Sequence, residues 1–261
     1  MSDELSIRDQ DGVRWISIER PASKNALTID LNKRLVDALH AAAVDNDARA
    51  IVLTGRGGSF CSGADMRDVL SKINDGMNLE DYLKVYFHGL VRAVRAIEKP
   101  VIALVDGVAA GFGCDLSLIC DIRIGTERTR FGEIFVKRGL MPDGGGTFTL
   151  PRLIGLGRAL DLMFTGRIVE ADEAERIGLI NRRFPSATAE TDVQALAAQL
   201  AKGPPLVYAR IKKAAYASLE GTFDQTLARE CEGQLALLRS QDFAEGMAAF
   251  FEKREASFTG Q

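Results

Sequence analysis

The sequence predicts an α/β fold with largely parallel strands, followed by an all-helical C-terminal third. Three observations carry this reading. Short apolar runs at 50–54, 100–105 and 121–125 alternate with stretches of helical periodicity. No long polar linker interrupts the 261 residues, so residues 1–190 read as one body. From about residue 190 strand signals cease and amphipathic segments take over.

The elements follow in order. Residues 5–8 and 13–19 alternate apolar and polar around Asp11-Gly12, the pattern of a β-hairpin with an Asp-Gly turn. Thr28 stands as an N-cap before Ile29, Leu31, Leu35, Val36, Leu39 and Ala42, which recur at helical spacing to about Asp45. A buried strand at 50–54 comes next. A helix-like stretch at 79–97 then leads to the strand at 100–105, a segment of small residues at 111–120, and a third strand at 121–125. This rhythm suits a doubly wound sheet or a spiral equally. Beyond residue 190, helices are expected at 193–202, 206–219, 223–238 and 243–255, broken by Gly203-Pro204-Pro205 and Gly221. Helices of this kind cover a core or pack against another subunit.

Composition narrows the function classes. With 46% hydrophobic and 26% charged residues the chain is an ordered globular protein. Its 33 basic and 36 acidic side chains give a net charge of -3, so no global field attracts nucleic acid. The start MSDELSIRDQDG lacks a basic region followed by an apolar core, and no long apolar run occurs, so a cytoplasmic protein without export or membrane span is expected. Cys61, Cys114, Cys120 and Cys231 lack CxxC spacing, and His40 and His88 are the only histidines. Metal sites and His-dependent triads are therefore not expected, and the thiols read as reduced core residues. His88, alone in a polar helix, reads as solvated. Ser62 has no paired base to make it a nucleophile.

Three Gly-rich segments carry the candidate chemistry. GRGGSFCSGAD at 55–65 leaves a strand; it has neither GK[ST] nor GxGxxG, and reads as a turn whose glycines adopt positive φ or whose N–H groups converge. GVAAGFGCD at 107–115 also leaves a strand, and its small residues serve either close helix packing or a pair of exposed amide donors. In GLMPDGGGT at 139–147, Asp143 precedes a Gly-rich helix start, where it suits an N-cap as well as an acid/base role.

Taken together and in order, these segments resemble the crotonase (enoyl-CoA hydratase/isomerase) superfamily. ERPASKNALT resembles its R-P-x-x-x-N-A-L stretch and GGSFCSGADM its F-x-x-G-A-D loop. GVAAGFGCDLSLICDIRI resembles its G-x-x-x-G-x-G-x-x-L-x-x-x-C-D run, and GLMPDGGGTFTLPRLIG its G-x-x-P-x-x-G-G-T-x-x-L-P-R-x-x-G element. The likeness spans about residues 5–181. It implies a crotonase-like spiral of ββα units, with residues 1–190 as the catalytic and CoA-binding core. Residues 191–261 would form a C-terminal helical trimerisation region that also covers the active site, in homotrimers or dimers of trimers. The substrate implied is an acyl-CoA thioester, coenzyme A being part of the substrate and not a cofactor. The resemblance gives the backbone N–H groups of Ala64 and Phe112 the role of oxyanion hole. It lays the CoA along Lys24, Ala26, Ser62, Asp65 and Met66, with Lys24 as a phosphate partner, and borders the acyl pocket with Phe135, Gly111 and Leu140.

The same resemblance discriminates between reactions. Hydratases of the family activate water with two glutamates, whose positions here hold Asp115 and Phe135. A phenylalanine transfers no proton. Asp143 matches the catalytic aspartate of double-bond isomerases, those of phenylacetate-type ring degradation in particular. The expected reaction is therefore enoyl-CoA isomerisation, with Asp143 moving one proton between two carbons of a dienolate. Phe135 would be an apolar wall that excludes water. Asp115 would assist Asp143, orient the acyl chain, or simply sit well in a first helical turn. Hydration with Asp115 as acid/base is the alternative; a non-catalytic acyl-CoA- or RNA-binding homologue is a further one.

Overall fold

The structure is a computed structural model that describes residues 4–261; the first three residues of the acidic start lie outside it. The chain opens with β1 (Leu5–Gln10) and β2 (Val13–Ile18), paired antiparallel. Asp11 and Gly12 between them both have positive φ, as a tight hairpin turn requires. In α1 (Ile29–Val44) the Leu31 N–H donates to Thr28 Oγ1 at 3.1 Å, so Thr28 is the N-cap. Next come β3 (Ala50–Gly55), β4 (Ser59–Cys61) and α2 (Met66–Asn74). The stretch expected as one helix at 79–97 is instead α3 (Leu79–Asp81), a π-helical segment (Tyr82–Phe87) and α4 (His88–Ala96). The wider π turn brings residues five apart close together, and the Tyr82 and Phe87 rings stand 4.9 Å apart.

Then follow β5 (Val101–Val105), β6 (Val108–Ala110), α5 (Phe112–Leu118), β7 (Ile122–Gly125), β8 (Arg130–Gly132), α6 (Gly146–Ile154) and α7 (Leu156–Thr165). The body closes with β9 (Ile168–Glu170), α8 (Ala171–Ile177), β10 (Arg182–Arg183) and α9 (Ala189–Ala201). Last come α10 (Pro205–Ser218), α11 (Phe223–Leu237) and α12 (Gln241–Glu252).

The strands form two sheets, ordered β1-β2-β3-β5-β7-β10 and β4-β6-β8-β9. Each turn of chain lays one strand in the first sheet, one in the second, and then goes helical: β3-β4 leads to α2, β5-β6 to α5, β7-β8 to α6. Both series advance in the same direction with parallel pairing. That is the ββα spiral, which the rhythm alone left undecided against a doubly wound sheet.

The central strands β3 and β5 of the first sheet are buried on both faces, which is why they read as near-continuous apolar runs. Ile16, Ile18, Ile51, Leu53, Val101 and Ala103 face the core that also takes Leu35 and Leu39 of α1 and Leu90 and Val94 of α4. Alternate residues Val13, Trp15, Ala50, Val52, Ile102 and Leu104 face a second core closed by Ala189, Val193, Ala197 and Ala201 of α9. Trp15 Nε1–H donates to Gln194 Oε1 at 2.6 Å and fastens that helix. The division expected at residue 190 thus passes through α9, which belongs with the spiral because it closes the sheet. The appendage is α10 to α12. There α10 and α11 bury no residue, and Phe223, Phe250 and Phe251 are more than 70% exposed (75%, 74% and 71%). Cys61, Cys114 and Cys120 are core residues as expected, but Cys231 is exposed on α11. Among the described residues no helix is long and apolar enough to cross a membrane.

Candidate active site

Three parallel neighbours of the second sheet, β4, β6 and β8, each deliver one part of the site just past their C-terminal ends, the usual place for function in parallel sheets. After β4 the chain turns through Gly63 (φ 99°) into Ala64, and after β6 through Gly111 (φ 54°) into Phe112. Both turns use left-handed backbone that side-chain-bearing residues rarely adopt. The two loops interlock. A Cβ on Gly63 would come within 3.0 Å of Ala110 O and 3.3 Å of Phe112 N, and one on Gly113 would overlap Cys61 O. Phe112 opens α5, so its N–H has no acceptor inside the helix. The Ala64 N–H lies between two backbone bonds, Leu27 N–H to Gly63 O and Asp65 N–H to Leu27 O, both 2.8 Å. Among the described residues neither the Ala64 nor the Phe112 amide has a protein acceptor. Two free donors on abutting loops are what an oxyanion needs.

The segment ERPASKNALT supplies the scaffold of the first loop. Buried Asn25 accepts from Arg20 N–H at 2.7 Å and donates to Ser59 O at 2.6 Å and Arg56 O at 2.9 Å. Ser62 N–H donates to Lys24 O at 3.0 Å. The Asp65 carboxylate caps α2 through Arg67 N–H and pairs with Arg20 at 3.1 Å. Of the residues expected along the CoA, Ser62 and Met66 line the cavity, whereas Lys24, Ala26 and Asp65 do not. Lys24 is exposed at the surface beside Ser62, and the Asp65 side chain is committed to the cap and the ion pair.

The cavity runs from Ala64, Gly111 and Phe112 to Phe135, Leu140 and Asp143, with Tyr82, Phe87 and Arg138 also on its wall. Phe135, Gly111 and Leu140, the residues expected to border an acyl pocket, all line this cavity. Asp143 does not cap α6, whose N-terminus is Gly145 without a side-chain cap bond; the carboxyl is left to the cavity. Its Oδ1 is buried without a hydrogen-bond partner. Burial raises its pKa, partly offset by His88 and by its own backbone N–H. His88, read from sequence as solvated, is half-buried and close enough to Asp143 to act on its charge, because the π segment turns α4 toward the site. Burial and the charge of Asp143 push the Tyr82 phenol up to about 12. The Phe87 ring meets Phe112 edge-on at 4.5 Å, so aromatic surface surrounds the oxyanion position.

Asp115 is placed differently from the expectation that it faces the substrate. It is fully buried, does not line the cavity, and its Oδ2 accepts from Gly144 N–H at 2.8 Å. Next to it lies a residue that sequence reasoning passed over, Glu133, 2% exposed, immediately after β8. Burial raises Glu133 to about 7 despite contacts with the Cys114 thiol and Asp115. Burial and then the Glu133 charge raise Asp115 well above the carboxylate range. An acid inside the apolar run RFGEIFV was the available signal.

The family described as Enoyl-CoA hydratase/isomerase matches residues 8–261. A probable enoyl-CoA hydratase of Rhodobacter capsulatus is 41% identical, covering 96% of each chain. A 1,2-epoxyphenylacetyl-CoA isomerase of Escherichia coli is 34% identical, covering 97% of each. The crystal structure of a putative enoyl-CoA hydratase from Streptomyces coelicolor superimposes with a TM-score of 0.93 at 37% identity, covering 99% of this chain and 95% of that one.

Proposed function

The chain belongs to the enoyl-CoA hydratase/isomerase family, and from that premise we propose that it shifts the double bond of an enoyl-CoA with Asp143 as its one acid/base. A single observation carries this: Asp143 is the carboxyl among the residues lining the cavity, Phe135 lines it too, and Asp115 and Glu133 are buried outside it. Syn addition of water needs a second group to hold and deprotonate the water; an allylic shift does not.

In this mechanism the thioester oxygen sits between the Ala64 and Phe112 amides. Asp143 takes a proton from C2 of a 3-enoyl-CoA, and the electron pair spreads over the dienolate onto that oxygen. The same carboxyl returns the proton to C4 as the double bond settles between C2 and C3. Each amide donor contributes on the order of 3 kcal/mol in the transition state. Burial of Asp143, which raises its basicity, favours proton abstraction. In the same proposal the uncovered apolar faces of α10 to α12 pack against other copies of the chain as a homotrimer or dimer of trimers.

Proton NMR of 3-enoyl-CoA and 2-enoyl-CoA incubated with the protein in D2O tests the reaction. Migration of the double bond with deuterium uptake supports isomerisation. Accumulation of 3-hydroxyacyl-CoA at a comparable rate replaces it with hydration, the activity in the name of the Rhodobacter relative.

A further inference from the structure

Behind Phe112 and Phe135, two carboxyl groups meet with too few donors. Asp115 Oδ1 and both Glu133 oxygens are buried without a hydrogen-bond partner, and no arginine or lysine pairs with either residue among those described. Glu133, the Asp115 carboxyl and the Cys114 thiol stand close enough to act on one another's charge. Two ionised carboxylates only accept; placed together in a dry interior they repel and leave their lone pairs unmet. One proton on the pair converts an acceptor into a donor and closes an O–H···O bond between them.

We propose that Asp115 and Glu133 share a proton and act as a positioning pair, clamping the Gly144 loop onto α5 so that Asp143 keeps a fixed separation from the Phe112 amide. The proposal rests on the reaction put forward above. Asp115 Oδ2 holds Gly144 N–H at 2.8 Å, and Gly144 directly follows Asp143. The seat has no slack: a Cβ on Gly144 would come within 2.6 Å of Asp115 Cβ and 2.9 Å of the Phe112 ring, and one on Gly146 would overlap Asp115 Oδ1. Phe112 and Asp115 are three residues apart on α5 and so share a face. One helical turn therefore carries the oxyanion donor at its start and the anchor of the base loop at its end. Neither Asp115 nor Glu133 lines the cavity, so their effect passes through Asp143. Cys114 and Asp143 are the other titratable groups facing the pair, with His88 and Tyr82 beyond Asp143. Burial disfavours the charged form of both members, in the direction that favours a retained proton.

Two measurements test this. Infrared difference spectra of the wild-type protein minus Glu133→Gln at neutral pH should show a protonated carboxylic C=O stretch; its absence overturns the shared proton, whatever reaction the protein performs. In kinetics, Asp115→Asn keeps an oxygen for Gly144 N–H and a donor for Glu133, so kcat should stay within about threefold of wild type, whereas Asp115→Ala should lose roughly 100-fold in kcat with KM little changed. Should the Ala variant fail to fold, the Asn variant decides alone: a loss comparable to that of Asp143→Asn would make Asp115 a proton carrier and sink the positioning role. The wild-type product is read separately. Formation of 3-hydroxyacyl-CoA would overturn the isomerase proposal without touching the infrared result.

Discussion

On one side of the cavity the working groups are backbone amides, and on the other they are carboxyl oxygens. The amides of Ala64 and Phe112 are aimed by glycine backbone and by loops in contact, with Asn25 and the Arg20–Asp65 pair satisfied around them. The carboxyl side is the reverse: Asp143, Asp115 and Glu133 are raised by burial, and each keeps an oxygen without a partner. In the proposed mechanism the groups that would stabilise charge are thus fixed by sterics, and those that would move or hold protons are tuned by desolvation.

The largest way to break this contrast is at the base. Asp143→Asn should lower kcat on the order of 1,000-fold with KM nearly unchanged, measured by double-bond migration. In the wild type the acid limb of the kcat/KM profile should lie above the ordinary aspartate range, because the raised group must ionise to act. His88→Ala should move that limb higher still by removing the favourable charge contact. On the amide side, Gly111→Ala should cost about 100-fold in kcat by displacing the Phe112 donor, without moving the acid limb. An equal shift of the limb in both variants would dissolve the distinction between the two sides.

Glu133 sharpens the comparison through stability. Its pKa is raised from 4.5 to about 7, so its contribution is fully present below 4.5 and is lost as pH climbs through 7. Glu133→Gln should therefore unfold at higher denaturant than wild type at about pH 8 and nearly alike at about pH 4, at matched protein concentration. The smallest effect belongs to the exposed rim: Lys24→Ala should raise KM for an acyl-CoA by about fivefold or less, and leave an acyl-pantetheine without nucleotide phosphates unaffected.

Much of the amide side was legible in the sequence, because its requirements are local. A positive φ demands glycine, so Gly63 and Gly111 announce their turns, whereas the donor role expected of the residue after each came from the resemblance. The spiral became legible only through resemblance, since alternation of strand and helix does not say which sheet receives each strand. The carboxyl side was half legible. Asp143 stands beside its glycines and could be singled out, although its position imitates an N-cap that the structure does not make. Glu133 could not be placed, because it reaches Asp115 through the pairing of β6 with β8, a contact between residues distant in sequence. His88 was misjudged because a π-helical segment alters which residues turn inward, and helical periodicity assumes 3.6 residues per turn.

The single turn of α5 that joins Phe112 to Asp115 has a consequence for how such a protein can diverge. An insertion or deletion inside that turn would swing the anchor about 100° away from the donor, so its length is frozen. Met66, Tyr82 and Phe87 also line the cavity and lie outside that turn. Under the proposed mechanism a change of acyl group would be met by substitutions there, with the length of the turn kept.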